Sequence, residues 1–146
     1  MPASSLVFRA AAILLALSVA LPAAAATLYA DLGAQPGLVR IVDGLLDRAL
    51  GNARIKHTFE DTNVPRLKRL LVDQLCEITG GPCRYTGRDM VASHADLGLS
   101  ARHFNALVED LQDAMDAEGI PFRTQNRLLA LLAPMHRDMV GVGAAQ

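Results

Sequence analysis

The residues in this chain best suited to metal or redox chemistry are four histidines and two cysteines. The histidines are His57, His94, His103 and His136. A neutral imidazole is the commonest metal ligand in proteins, but no two of these histidines have the i, i+4 spacing typical of a zinc pair. The chain has no C-x-x-C and no C-x-x-C-H, which excludes c-type haem attachment and argues against a zinc ribbon. A lone histidine is therefore either a ligand to a larger cofactor or a structural residue.

The two cysteines, Cys76 and Cys83, flank the turn-forming stretch Gly80-Gly81-Pro82. A chain reversal there would bring the two sulfurs together, and a disulfide closing so short a loop would stabilise the fold only modestly. Two free thiols are the alternative. Which of the two forms depends on the compartment in which the protein resides.

The first 26 residues resemble a secretory signal peptide. Arg9 is their only charge, an apolar run follows from Ala10 to Leu21, and small residues occupy 24–26. A membrane-spanning helix needs about 20 apolar residues, so an uncleaved anchor is the weaker alternative. We expect residues 1–26 to be a signal peptide, 27–146 to be one mature domain, and the protein to be periplasmic or secreted, with no stable membrane span after cleavage.

The composition favours one all-α domain. The chain has 146 residues and a formal net charge of −1, and hydrophobic residues make up 51% of it. This balance provides enough apolar side chains for a core and lacks the basic surface of a nucleic-acid-binding protein. β-branched and aromatic residues are sparse beside alanine and leucine, which favours helices.

Apolar spacing and capping residues predict four long helices. The first carries apolar positions from Leu38 to Leu50 and stops at Gly51-Asn52. The second begins where Thr62 or Asn63 can cap it and ends at Gly80-Gly81-Pro82. The third starts at Ser100 and ends at Gly119, and the fourth runs from Pro121 to about Met135 or His136.

A weak helical segment, Tyr85 to Gly98, contains His94 and at most two turns of helix. Such a segment among long helices leaves space that side chains alone fill poorly, and a bound cofactor could occupy that space. An exported helical bundle in which His94 is merely a half-buried polar residue fits the patterning equally well. Periodicity does not choose between them.

Several local patterns, taken in order, resemble the group I truncated haemoglobins. They are Leu28-Tyr29-Ala30-Asp31-Leu32-Gly33, Gly80-Gly81-Pro82, Tyr85-Thr86-Gly87, Met90 four residues before His94, Leu97-Gly98-Leu99, His103-Phe104 and Leu132-Ala133-Pro134. The resemblance extends from Thr27 to about Val140. It implies the truncated two-over-two globin fold, in which helices B, E, G and H surround a haem and helix F is short.

The resemblance places His94 at the proximal ligand to the iron of haem b, iron protoporphyrin IX. An imidazole can bind iron through one nitrogen while a carbonyl fixes the other N–H, so the chemistry agrees. The resemblance also matches several residues to positions that line the haem. These are Phe59, Tyr85, Met90 and Phe104, with Leu75, Leu107 and Leu129 as further wall residues.

The distal side departs from the family pattern. Many group I members have a tyrosine in helix B and a glutamine in helix E that donate hydrogen bonds to bound O2, whereas this chain has Leu46 and Leu71 there. Leu67 also falls on the distal face. Lys68 and His57 are alternative sixth ligands, although solvated surface charge is the simpler role for both. His136 lies one residue out of register with a histidine that some relatives link covalently to haem.

Three functions remain open. In the first, the protein reversibly binds O2, NO or CO, with an electron-donating reductase as a further partner. In the second, it is an enzyme, either an NO dioxygenase or a weak peroxidase, although a pocket of leucines offers no acid or base to move protons. In the third, it is a haem-free exported helical module.

The export hypothesis predicts the mass of the protein recovered from its native envelope. Mass spectrometry should find Thr27 or a neighbouring residue at the N-terminus, and a mass two hydrogens below that of the dithiol form. Full-length protein in the cytosol, with Met1 present and both thiols open to alkylation, would contradict both the signal peptide and the disulfide.

Overall fold

The structure, a computed structural model, describes residues 27–141, most of which are helical, while residues 79–89 form a loop. Within that range there is no strand, as expected for an all-α fold. The α-helices are α1 (Leu28–Asp31), α2 (Ala34–Gly51), α3 (Val64–Ile78), α4 (Met90–His94), α5 (Ala101–Ala117), α6 (Phe122–Leu132) and α7 (His136–Met139). Short 3-10 helices span Lys56–Phe59 and Ala133–Met135.

The predicted signal peptide, residues 1–26, lies outside the described residues. None of the helices between residues 27 and 141 is long and apolar enough to cross a bilayer. The mature domain predicted to begin at Thr27 starts with a capped helix, because the hydroxyl of Thr27 accepts a hydrogen bond from the Ala30 N–H at 3.3 Å.

Helix α2 is the centre of the fold and packs against both α3 and α5. Its apolar face provides Leu38, Ile41 and Val42, all fully buried, and Met115 of α5 is buried against the same cluster. The three- and four-residue spacing that predicts this helix therefore corresponds to a face in contact with two neighbours. The pair α2 and α5 forms the rigid base on which the other elements are arranged.

Side-chain caps set the starts of two further helices, as the sequence predicts. The Asn63 side chain accepts a hydrogen bond from the Arg66 N–H at 3.0 Å and begins α3. Ser100 begins α5 in a capping box, in which the third helical residue is His103 rather than the usual Glu or Gln. Its Nδ1 accepts a hydrogen bond from the Ser100 N–H at 3.2 Å.

The end of the fourth predicted helix differs from expectation. The sequence predicts one helix to Met135 or His136, but α6 ends at Leu132, a 3-10 turn follows, and α7 resumes at His136. Pro134 explains the break, because it has no N–H to donate to the preceding turn and its ring crowds the carbonyl there. The change in direction gives His136 and Met135 a different orientation from that of a straight helix.

Cys76 and Cys83 are joined as a disulfide with Cα atoms 5.7 Å apart. Cys76 is fully buried in α3, so the bond anchors the loop that leaves α3 to the helix core. Gly81 passes so close that a Cβ there would lie 2.6 Å from the Cys76 sulfur. The loop that leads to α4 is therefore held at its first residues.

The corner after α2 is held against α5 by polar contacts. The Asn52 amide donates to Asp110 at 3.0 Å, and Asp110 is buried. Arg54 pairs with Glu109 at 2.6 Å, and this hydrogen bond lowers the pKa of the Glu109 carboxyl below its ordinary value. These contacts fix the 3-10 turn that ends in Phe59.

Two glycines of α2 give a matched test of the packing between α1 and α2. A Cβ on Gly37 would overlap the Leu32 carbonyl oxygen, whereas a Cβ on Gly51 would meet nothing within 4 Å. Gly37→Ala should therefore lower the free energy of unfolding by about 2 kcal/mol, because backbone must shift. Gly51→Ala should leave it unchanged or raise it by up to about 1 kcal/mol, as alanine favours helix. Urea unfolding measures both, and equal effects would contradict the packing.

Candidate functional site

His94 is the last residue of the short helix α4. The helix begins at Asp89, whose carboxylate accepts a hydrogen bond from the Ala92 N–H at 2.7 Å. One turn of helix is unstable alone, so the cap and the packing of α4 on α7 must hold it in place. The half-buried His94 thus sits on an element fixed at both ends.

The His94 ring is held by the backbone of its own helix. Its Nδ1 lies 2.7 Å from the Met90 carbonyl oxygen. Because a carbonyl only accepts, Nδ1 carries the proton and Nε2 keeps its lone pair. Nε2 makes no hydrogen bond to any residue in the range 27–141. This is the tautomer and the orientation of a metal-binding histidine.

The protein does not complete a metal site around His94 by itself. Among the described residues there is no group of three or more His, Cys, Asp or Glu side chains that could hold an ion. A metal bound at Nε2 therefore needs the rest of its ligands from another molecule. A macrocycle that brings its own nitrogen ligands meets this requirement.

Apolar side chains from α2 and α3 pack into one cluster. Leu46 and Leu75 are buried with 4% of their surface exposed, and Leu67 and Leu71 pack, half-buried, against the same cluster. The structure thus brings together the three leucines assigned to the distal side. Their role toward a ligand stays a prediction.

Phe59 and Phe104 lie on different sides of this region. Phe59 ends the 3-10 turn after α2 and packs against the cluster of Ala49, Ile55 and Ala106. Phe104, near the start of α5, meets the His136 ring edge-to-face with centroids 4.8 Å apart. Both rings are half-buried, so each keeps an aromatic surface for a further contact.

Tyr85 makes hydrogen bonds within its own loop and to α3. Its hydroxyl donates to the Arg88 carbonyl at 2.8 Å, and its N–H donates to Glu77 at 3.3 Å. A Cβ on Gly87 would overlap the Tyr85 ring, so the loop is tightly wrapped around this side chain. Tyr85 shapes the approach to α4, and its assignment as a haem-lining residue stays a prediction.

Sequence reasoning missed Gln74. This α3 residue is 9% exposed, and its amide nitrogen lies 3.6 Å from the Met90 sulfur and 3.8 Å from the Met135 sulfur. Thioethers are weak acceptors, so a buried amide here is poorly satisfied. Its burial could have been predicted from its position seven residues after Leu67, on the same apolar face of the helix. A glutamine in the middle of a helix, however, usually indicates a solvent-facing position.

The two alternative sixth ligands have other partners. Lys68 forms an ion pair with Asp43 on α2. The exposed His57 ring lies edge-on to His103, with centroids 5.2 Å apart. His103 itself caps α5 through Nδ1, which agrees with a structural role.

The apolar residues between α3 and α4 are less buried than those around α2. Leu67, Leu71 and Met90 are only half-buried, and Val91 and Leu97, which flank His94, are 47% and 43% exposed. Apolar side chains left exposed or half-buried on neighbouring elements are typical of a ligand-binding surface. Here its centre is a histidine with an available lone pair.

Comparisons with known proteins agree with this geometry. The family model described as bacterial-like globin matches residues 27–141. A group 1 truncated haemoglobin of Mycolicibacterium paratuberculosis is 32% identical over 110 residues, which cover 75% of this chain and 81% of that protein. This chain therefore belongs to the truncated haemoglobins of the bacterial-like globin family.

Solved structures show the same fold. The truncated haemoglobin of Tetrahymena pyriformis in its Fe(III) form has a TM-score of 0.77 and 27% identity, covering 80% of this chain and 99% of that one. The 2/2 haemoglobin of a Synechococcus species, solved in the cyanomet state with covalently attached haem, has a TM-score of 0.74 and 25% identity. That match covers 79% of this chain and 98% of the other. The architecture is the two-over-two globin fold.

Family membership implies a haem cofactor, and the residues present fit one. The His94 nitrogen Nε2 supplies a single protein ligand, and leucine, methionine and phenylalanine side chains supply an apolar cradle on the faces of α3, α4 and α5. A porphyrin is a flat apolar molecule that needs both. His94 would hold the iron, with Met90 and Phe104 beside it.

Proposed function

We propose that the protein is an exported haem b protein that reversibly binds a diatomic gas, O2, NO or CO, with His94 as its ligand to the iron. The observation that carries the proposal is the hydrogen bond of His94 Nδ1 to the Met90 carbonyl, which leaves Nε2 available. Bound haem supplies an iron centre that can take up such a gas. Membership of the truncated haemoglobins supports haem-based gas binding in general, and the ligand and the location are what this proposal adds.

Different residues have different roles in the proposed site. His94 binds, the Met90 carbonyl orients the imidazole through Nδ1, and the disulfide-anchored loop fixes the path into α4. On the other side, Leu46, Leu67 and Leu71 exclude water. Water exclusion favours binding of an apolar gas and slows loss of the cofactor.

The leucine wall also sets how tightly O2 is held. Bound O2 is partly negative, and a hydrogen-bond donor to it is worth roughly 1.5 to 3 kcal/mol. Without a donor, O2 should leave roughly 10- to 100-fold faster than from a pocket with one. The pocket therefore favours rapid exchange over storage.

Enzymatic turnover is less well supported than binding. Peroxidase chemistry needs a distal acid or base to move protons, and in the described residues Lys68 pairs with Asp43 while His57 lies against His103. No feature between residues 27 and 141 specifically favours NO dioxygenation over simple binding. We therefore propose reversible gas binding as the function.

Export is supported by two independent features. The first 26 residues have the composition of a signal peptide. Cys76 and Cys83 form a disulfide, which persists in the periplasm or outside the cell and is rare in the cytosol. A periplasmic or secreted location is consistent with both.

Replacing the proposed ligand should remove the haem. We expect His94→Ala to lose the Soret band after purification, or to keep it only with added imidazole, because no other group replaces Nε2. His103→Ala is the matched control, since it removes a half-buried histidine of the capping box and should lower stability by about 1 kcal/mol while keeping the Soret band. An unchanged absorption spectrum in His94→Ala would overturn the assignment.

Adding a donor to the distal wall should slow O2 release. We expect Leu46→Tyr to slow O2 dissociation roughly 10-fold or more relative to Leu46→Phe, because the two rings differ only by the hydroxyl. CO dissociation should change much less, since bound CO carries less negative charge. Stopped-flow kinetics measures both gases. A wild-type protein that already holds O2 as tightly as Leu46→Tyr would contradict the apolar pocket.

A further inference from the structure

A pocket lies where the start of α6 meets α1. It has a volume of about 360 Å³ and is lined by Asp31, Pro121, Arg123, Thr124 and Arg127. None of the residues assigned to the haem lines it. Its chemistry is polar and cationic, unlike the leucine-lined surface between α3 and α4.

The N-terminus of α6 opens into this pocket without a side-chain cap. Pro121 occupies the cap position, and its carbonyl accepts from the Thr124 and Gln125 N–H groups at 2.8 and 3.1 Å. The N–H groups of Phe122 and Arg123 make no hydrogen bond to residues 27–141, and the first turn contains no acidic residue. A helix end of this kind carries a partial positive charge and two available donors.

The Thr124 side chain provides a separate sign of a ligand. Thr124 is only 8% exposed, yet its hydroxyl makes no hydrogen bond to any described residue. No side-chain nitrogen or oxygen that is sealed from solvent in this part of the chain lacks a partner, so the Thr124 hydroxyl keeps access to solvent, and Thr124 is one of the residues that line the pocket. On a side chain that is otherwise so little exposed, a hydroxyl without a protein partner can donate to a ligand that enters the pocket.

The charged side chains around the pocket leave it with a net positive charge. Arg127 is neutralised by Asp31, at 2.6 Å, so this pair contributes little net charge. Arg123 is exposed and forms no ion pair within residues 27–141. The nearest further acid on α5, Asp116, accepts the Gln125 amide at 2.6 Å and does not line the pocket. One positive charge and the helix end therefore remain uncompensated.

We propose that this pocket is a binding site for a phosphate dianion, either free or as the terminal group of a small monoester. Its donors are the Arg123 guanidinium, the Thr124 hydroxyl and the N–H groups of Phe122 and Arg123. Donors of these kinds at a helix N-terminus match the several oxygens of a tetrahedral anion better than the two of a carboxylate. The site is independent of the haem and of the ligand role of His94.

Titration of the mature haem-containing protein, in its CO-bound form, tests the proposal by ¹H–¹⁵N NMR. Inorganic phosphate at constant ionic strength should give saturable shifts at the Phe122, Arg123 and Thr124 amides, while chloride should not. Arg123→Gln should weaken binding roughly 10-fold or more, and the isosteric Thr124→Val roughly 2- to 10-fold. Titration with glycerol 3-phosphate distinguishes the two ligands that the proposal allows. If it binds more tightly than inorganic phosphate, the ligand is a monoester, and if it binds more weakly, the ligand is the free ion.

Arg66→Gln is the matched control. Arg66 is also an exposed arginine in the first turn of a helix, but the Asn63 side chain already caps that end. The variant loses the same charge and should leave phosphate affinity unchanged. Shifts that never saturate, acetate binding as tight as phosphate, or equal losses in Arg66→Gln and Arg123→Gln would each overturn the proposal.

Discussion

The site depends on one hydrogen bond across a single helical turn, from His94 Nδ1 to the Met90 carbonyl at 2.7 Å. Helix α4 has five residues, too few to be stable in isolation. The bond therefore does two things at once: it closes the end of the helix and it selects the tautomer that leaves Nε2 free. Any change that unwinds α4 also rotates the imidazole and changes which nitrogen carries the proton.

The core formed by α2 and α5 supports helix α4 without contributing to its hydrogen bonds. Helices α2 and α5 pack into a core whose central residues are fully buried, which allows α3 and α4 to keep half-exposed apolar faces without loss of the fold. A ligand that covers those faces adds stability, because binding to the folded state alone shifts the unfolding equilibrium. Cofactor retention and domain stability should therefore be coupled through α3 and α4, and much less through α2.

The sequence predicted those parts of the fold that local chemistry decides. The end of α2 at Gly51 and the caps at Asn63 and Ser100 are short-range signals, and the structure places the helices accordingly. The break at Pro134 was missed because the apolar spacing continues across it. His94 was identified as a ligand only through the family resemblance, because the apolar periodicity fits equally well with a half-buried histidine in a helical bundle. The pocket at α6 could not be predicted at all, because its Asp31–Arg127 pair joins residues 96 positions apart.

Lys68 lies at the border of the leucine face of α3 and pairs with Asp43 on α2. An exposed or half-exposed pair such as Lys68 with Asp43 is worth about 0 to 1 kcal/mol, too little to hold an amine that had a better partner. Lys68 is turned by about 100° from Leu67 but lies three residues before Leu71, so it borders the face that carries these two leucines. In the structure the Lys68 ammonium is therefore directed to Asp43 on α2, and the apolar character of the distal side stays a proposal.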